Sequence, residues 1–215
     1  MDKEVHRKTV LSAQRTMALR TCSAYKTTST DAALVLANLI PAHILAQERS
    51  GTYCLNLPEK RYAARERTLE IWQQEWNQST KGRWTHRLIG DIKGWVHRKH
   101  GNITFRMTQC FTGHGVFYMQ YIARIKKRVS SDCMYCEHPC DDAEHTLFHW
   151  PRFEEERENV KKEIGSEIKT ENLTSIMLEA SEKWESIKKY MEEIIKVGFE
   201  VLSGIKSIQV FFCER

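Results

Sequence analysis

The chain has 215 residues, 41% of them hydrophobic and 28% charged, with only ten glycines and four prolines. That content can build one or two small cores and argues against a disordered or fibrous polypeptide, and no run of about 18 apolar residues suggests a membrane span. The net charge of +5 hides a division, because residues 1–128 hold 22 Lys/Arg against 9 Asp/Glu while residues 129–215 hold 11 against 19. A basic first part predicts an anionic partner, nucleic acid first of all, although such side chains can equally solvate helix faces. The N-terminal "MDKEVHRKTVLSAQR" lacks the apolar centre of a secretory signal. Four of the seven cysteines (Cys22, Cys54, Cys110, Cys213) are scattered, unlike a disulfide framework. The expected setting is therefore intracellular, in the nucleus or cytoplasm.

Nearly every segment reads as helix. Residues 5–24 form a basic amphipathic stretch in which Val10, Ala13, Met17 and Ala24 can share a side. "STDAALVLANLIP" offers Thr30 or Asp31 as an N-cap, with Pro41 as its stop. A short helix over Ala42–Arg49 ends at Gly51, and Pro58 opens a longer one with Leu69, Trp72 and Trp76 on one face. Beyond the break at Gly82, Trp84, Leu88, Ile92 and Trp95 recur on a face, with Arg83, Arg87, Lys93, Arg98 and Lys99 around it. Gly113 and Gly115 bracket a turn before a helix with Phe117, Tyr118 and Tyr121 ahead of Arg124, Lys126, Lys127 and Arg128. Aromatics beside basic residues can stack on bases and grip phosphates, but the spacing of Phe117 and Tyr121 favours a core role. Pro151 opens an acid-rich helix, and residues 170–179 and 181–203 read as two closing helices capped by Thr170 and Ser181.

The chemistry is concentrated in "CMYCEHPCDDAEHTLFHW", Cys133 to Trp150. Zinc takes four tetrahedral ligands, and a Cys-x-x-Cys pair supplies two thiolates from one tight turn. Cys133 and Cys136 fit that half, and His145 is the natural third ligand. His149, four residues on and thus on the same face of an α-helix, is the expected fourth, with Cys140 its rival and His138 the weakest choice. Asp141 and Asp142 invite comparison with metal-binding carboxylate pairs, but read better as a polar loop. No thioredoxin-like βαβ context, phosphate-binding glycine loop or nucleophile elbow accompanies the cluster.

Taken in order, "QRTMALRTCSAYKTTSTDAALVLANLIPAHILAQER", "GRWTHRLIGDIKGWVHRKHG", "FRMTQCFTGHGVFYMQYIARI" and "CMYC…DDAEHTLFHWPRFEEER" resemble the C-terminal region of reverse transcriptases from arthropod non-LTR (LINE-like) retrotransposons, the class inserting into ribosomal DNA. The likeness covers about residues 10–195, with Thr108-Gln109, "TGHG" and Ala143–Phe148 carrying most of it. It implies a thumb followed by a Cys-Cys-His-Cys zinc knuckle whose fourth ligand falls immediately before Pro151, where Trp150 stands. It also implies RNA-directed DNA polymerase ancestry, while the aromatic-x-Asp-Asp motif and an endonuclease domain are absent from this sequence. The expectation is an all-α chain: thumb-like helices over 1–57, a basic helical region over 58–128, the knuckle over 129–150 and acidic helices over 151–215. Its expected role is binding of template RNA or target DNA by a transposable-element fragment, inactive as an enzyme alone, with a separate polymerase core or other retroelement proteins as further partners. The alternatives are a helical protein-interaction module and a truncated element without function. The nine basic residues from Arg83 to Arg128 named above would contact phosphates, and Cys133, Cys136, His145 and His149 would bind Zn2+.

Overall fold

The computed structural model describes residues 3–52, 58–117, 132–133 and 136–204, with side chains over 8–52, 59–117, 132–133 and 136–200. Among these the chain is all-α, without a strand. It forms two compact units, Met1–Thr108 and Gln109–Arg215. The charge divide at Val129 reflects surface composition and the unit boundary reflects packing, so the two need not coincide. No helix among the described residues is long and apolar enough to cross a membrane.

The first unit holds α1 (Lys3–Thr21), α2 (Thr30–Leu36), α3 (Ala42–Thr52), α4 (Pro58–Gln78), α5 (Arg83–Leu88), α6 (Ile92–Val96) and the start of α7 (Phe105–Thr112). In α2, Ala32 to Leu36 are all buried, so this short helix is the centre against which its neighbours pack. Its N-cap is Ser29, whose hydroxyl accepts from the Ala32 amide at 3.3 Å, so the cap lies one residue before Thr30. It ends at Leu36, well before Pro41. Asn38 adopts φ +56°, and the Leu39 and Asn38 amides reach back to Leu34 and Val35 carbonyls, a Schellman ending.

The face of α1 differs from the expected one. Val10 and Met17 are 51% and 60% exposed, whereas Ala18 and Cys22 are buried. The small Ala18 and Cys22 allow close approach, and the Gln14 carboxamide donates to the Ile40 carbonyl at 2.7 Å and accepts from the Ala42 amide at 2.8 Å. A polar side chain thus directs this helix, which apolar spacing does not reveal. The Leu69, Trp72, Trp76 face of α4 is buried as the spacing predicts. Its indoles are satisfied as buried Trp requires: Trp76 donates to the Ile89 carbonyl at 2.8 Å, and Trp95 of α6 to Val35 at 2.9 Å. Gly82 takes φ +65° where a Cβ would lie 2.6 Å from Ser29 Oγ, which explains glycine at that break.

The second unit holds the end of α7 and three later helices, α8 (Glu154–Ile164), α9 (Leu173–Glu179) and α10 (Ser181–Gly204). Val160, Ile164, Ile168, Ile176, Met177, Trp184, Ile187, Met191 and Ile195 build its core with Cys110, Phe111 and Phe117. Phe117 is therefore core, while Tyr118 and Tyr121 lie outside the described residues. α9 starts at Leu173 after Asn172 rather than at Thr170. The Thr170 hydroxyl is engaged elsewhere, donating to Glu144 at 3.2 Å, and Asn172 instead accepts from the Lys169 amide.

Candidate metal centre

The segment carrying the cluster is built by local hydrogen bonds. The Cys133 amide donates to the His138 carbonyl at 3.0 Å and closes the knuckle loop. Asp142 then starts a helical turn: its Oδ1 accepts from the His145 amide at 2.8 Å, and its carbonyl accepts the Thr146 amide and hydroxyl, each at 3.0 Å. An Asp three residues before the first buried ligand is an N-cap arrangement. Asp142 therefore has a structural task that the loop reading assigned to neither aspartate.

His145–His149 is a π-helical turn, in which the Trp150 amide donates to the His145 carbonyl at 2.7 Å. Such single turns often occur at functional sites. Pro151 disfavours helical backbone at the preceding residue, and Trp150 is accordingly extended at φ −64°, ψ 121°. The chain re-enters helix through Pro151–Phe153 and then α8, whose first turn carries Glu154, Glu155 and Glu156. From α10, the buried Tyr190 hydroxyl donates to the Leu147 carbonyl at 2.6 Å and so holds the turn against the core.

This frame brings three of the four expected ligands together. One donor atom each from Cys133, Cys136 and His145 lies within 4.8 Å of the others. His145 Nε2 is 3.4 Å from Cys136 Sγ. Bonds of about 2.3 Å to sulfur and about 2.0–2.1 Å to nitrogen at tetrahedral angles would place such atoms about 3.6 Å apart. Cys133 and His145 are buried and Cys136 half-buried. Burial, with His138 and His149 nearby, pushes the His145 imidazole down to about 4, so it is neutral near pH 7, as a metal ligand must be. Its Nδ1 is buried without a hydrogen-bond partner. Two thiols and a neutral imidazole at this spacing can hold a metal ion.

His149 lies outside that set, exposed, with its ring 6.4 Å from His138. The i, i+4 expectation assumed an α-helix, whereas here the hydrogen bond from His145 spans five residues and reaches Trp150. Cys140 directs its thiol toward Asp142 Oδ2 at 3.6 Å, and the His138 ring stacks on His145 at 4.1 Å. Sequence reasoning missed Asp142 and Tyr190. The Asp-x-x-His spacing ahead of an apolar turn signals the first, and nothing local signals a tyrosine 43 residues beyond its acceptor.

The basic residues expected to meet phosphate occupy varied settings. Arg83 donates to the Ser79 carbonyl at 3.0 Å, at the end of α4, and Lys93 forms an ion pair with Glu66. Arg98 is half-buried over the Trp95 ring, its guanidinium 4.3 Å from the ring centre and donating to the Trp95 carbonyl. Arg87 is exposed and lies over the Trp84 ring at 5.6 Å, and Lys99 is exposed. Arg124, Lys126, Lys127 and Arg128 lie outside the described residues. Three of these nine thus have work within the first unit. No protein-family model, curated protein or solved structure matches this chain.

Proposed function

We propose that this chain is a zinc-holding, nucleic-acid-binding protein, similar to the C-terminal part of a non-LTR retrotransposon reverse transcriptase and contacting template RNA or target DNA. The observation that carries the reading is the convergence of Cys133, Cys136 and His145 on a capped turn. Zinc suits two thiolates and an imidazole and brings no redox chemistry, so the ion would tie the Cys133–Cys136 loop to the His145 turn. The binding role is supported by the basic excess of the first unit, 18 Lys/Arg against 9 Asp/Glu over residues 1–108. Arg87 and Lys99 on that unit, with the basic run at residues 124–128, are the residues assigned to phosphate. Arg83, Lys93 and Arg98 chiefly serve the fold.

Two measurements on the full chain test this. Purified protein should contain about one zinc per chain, lost on substitution of Cys133 or Cys136. Anisotropy titrations with labelled RNA and DNA should show affinity falling steeply with salt. Neutralising four to six phosphates gives a slope of about −3 to −5 in log affinity against log salt. A flat salt dependence would overturn the nucleic-acid reading, and a metal-free protein that takes up no added zinc would overturn the metal reading.

A further inference from the structure

Three donors leave one corner of a tetrahedral ion unfilled, and the side chains around it are unequally committed. Asp142 is occupied at both oxygens, Oδ1 by the His145 amide and Oδ2 by the Cys140 thiol. Cys140 is accordingly turned toward that carboxylate. Trp150 is buried and offers no donor lone pair. His149 is exposed, and its ring centre is 6.4 Å from His138.

His138 differs from all of these. We propose that His138, through Nε2, is the fourth ligand, making a centre of two thiolates and two imidazoles; this rests on the reading that the knuckle holds zinc. Its ring lies 4.1 Å from the His145 ring, centre to centre and 12° from parallel. Two nitrogens bound to one tetrahedral zinc stand about 3.4 Å apart, given bonds of about 2.0–2.1 Å. Two imidazoles stacked edge to edge can meet that spacing with a small tilt. The backbone holds His138 inside the knuckle, since its carbonyl accepts from the amide of Cys133, itself a ligand.

The tautomer also suits the role. A carbonyl can only accept, so the 2.7 Å contact between His138 Nδ1 and the Cys140 oxygen places the proton on Nδ1 and the lone pair on Nε2. A backbone carbonyl on the second ring nitrogen is the outer-shell partner that metal-bound histidines commonly carry. The pair of bonds through His138 and Cys140 gives "EHPC" a purpose: Pro139 between them limits the turn that brings the Cys140 carbonyl onto the ring. His138 stands outside the compact set of three donors, so binding the ion draws its ring inward.

The test is zinc affinity of the full chain by chelator competition, for the parent and for His138→Ala, His149→Ala and Cys140→Ser, with helix content checked by circular dichroism. X-ray absorption at the zinc edge supplies the coordination count. The expected result is two sulfur and two nitrogen scatterers in the parent, affinity lowered more than about 100-fold in His138→Ala, and change within about threefold in the other two. His138→Ala should also show one imidazole fewer around any zinc retained at saturation. Parent affinity in His138→Ala, or an equal loss in His149→Ala, would overturn the assignment while leaving zinc binding intact. Three sulfur scatterers, lost in Cys140→Ser, would transfer the role to Cys140. A parent that binds no zinc would overturn both this assignment and the metal reading beneath it.

Discussion

Replacing Asp142 by Ala should loosen the turn that carries His145, and replacing it by Asn should not. The carboxylate Oδ1 accepts from the His145 amide at 2.8 Å, in a half-buried position at the start of the turn. Loss of an N-cap acceptor costs about 1 kcal/mol, within a range of about 0.5–2, and Asn caps about as well as Asp. At about 1.4 kcal/mol per tenfold, that is about a fivefold change in the closed-to-open ratio of the turn. The assay is hydrogen exchange of the His145 and Thr146 amides in zinc-free protein, followed by NMR. Asp142→Ala should lower protection at His145 about fivefold, with Asp142→Asn close to the parent. Zinc affinity should fall by a similar factor, because the ion must then close the turn itself. Equal damage from Asn and Ala would refute the reasoning, since it would mean that the charge of Asp142, not its capping oxygen, matters. That outcome would point to the carboxylate as a metal ligand.

Tyr190→Phe removes the donor to the Leu147 carbonyl and leaves a buried acceptor unpaired, so urea unfolding should show a loss of about 1–3 kcal/mol with the slope unchanged. His145 sits near 4 in the folded chain against about 6.5 when unfolded, because burial disfavours the imidazolium. The folded state therefore binds its proton less readily, and zinc-free stability should be complete above about pH 6.5 and decline as pH falls toward 4; His145→Gln should flatten that decline in urea midpoints taken at pH 7, 5.5 and 4.5. Gly82→Ala forces a left-handed backbone on a residue whose Cβ meets Ser29 Oγ at 2.6 Å, and should cost about 1–3 kcal/mol in thermal or urea unfolding of the first unit.

The residues show which parts of this arrangement a sequence can express. Leu69, Trp72 and Trp76 are large and apolar at helical spacing, so their burial follows from periodicity alone. The same rule misplaces the buried face of α1. There the anchor is Gln14, and the tight contact uses Ala18 and Cys22, which carry little hydrophobic signal. At the candidate site, Cys133, Cys136 and His145 were readable because ligand type and spacing are chemical facts of the chain. The π-turn was not readable, since it depends on Pro151 stopping the helix and on Tyr190, from a distant helix, satisfying the Leu147 carbonyl. Once that turn is known, the position stacked above His145 belongs to Trp150 and not to His149.

That position explains what the tryptophan does. The resemblance places a fourth ligand at residue 150, and the backbone there is bonded to His145 through the π-turn. The side chain instead turns into the core: its ring is 8% exposed, packs edge-on against Phe153 at 5.2 Å, and lies 6.5 Å from the His145 ring. A buried indole covers about 150–250 Å². At about 25 cal/mol per Å² this is worth at most about 4–6 kcal/mol, an upper limit because the unfolded chain already hides some of that area. Packing of this size, with the Asp142 cap and the Tyr190 bond, can form the turn without an ion. Zinc then has a narrower task than in a finger that folds only on metal, which is to draw the Cys133–Cys136 loop and His138 onto a turn that already exists. Removing the ion should free the loop while leaving α8, α9 and α10 in place.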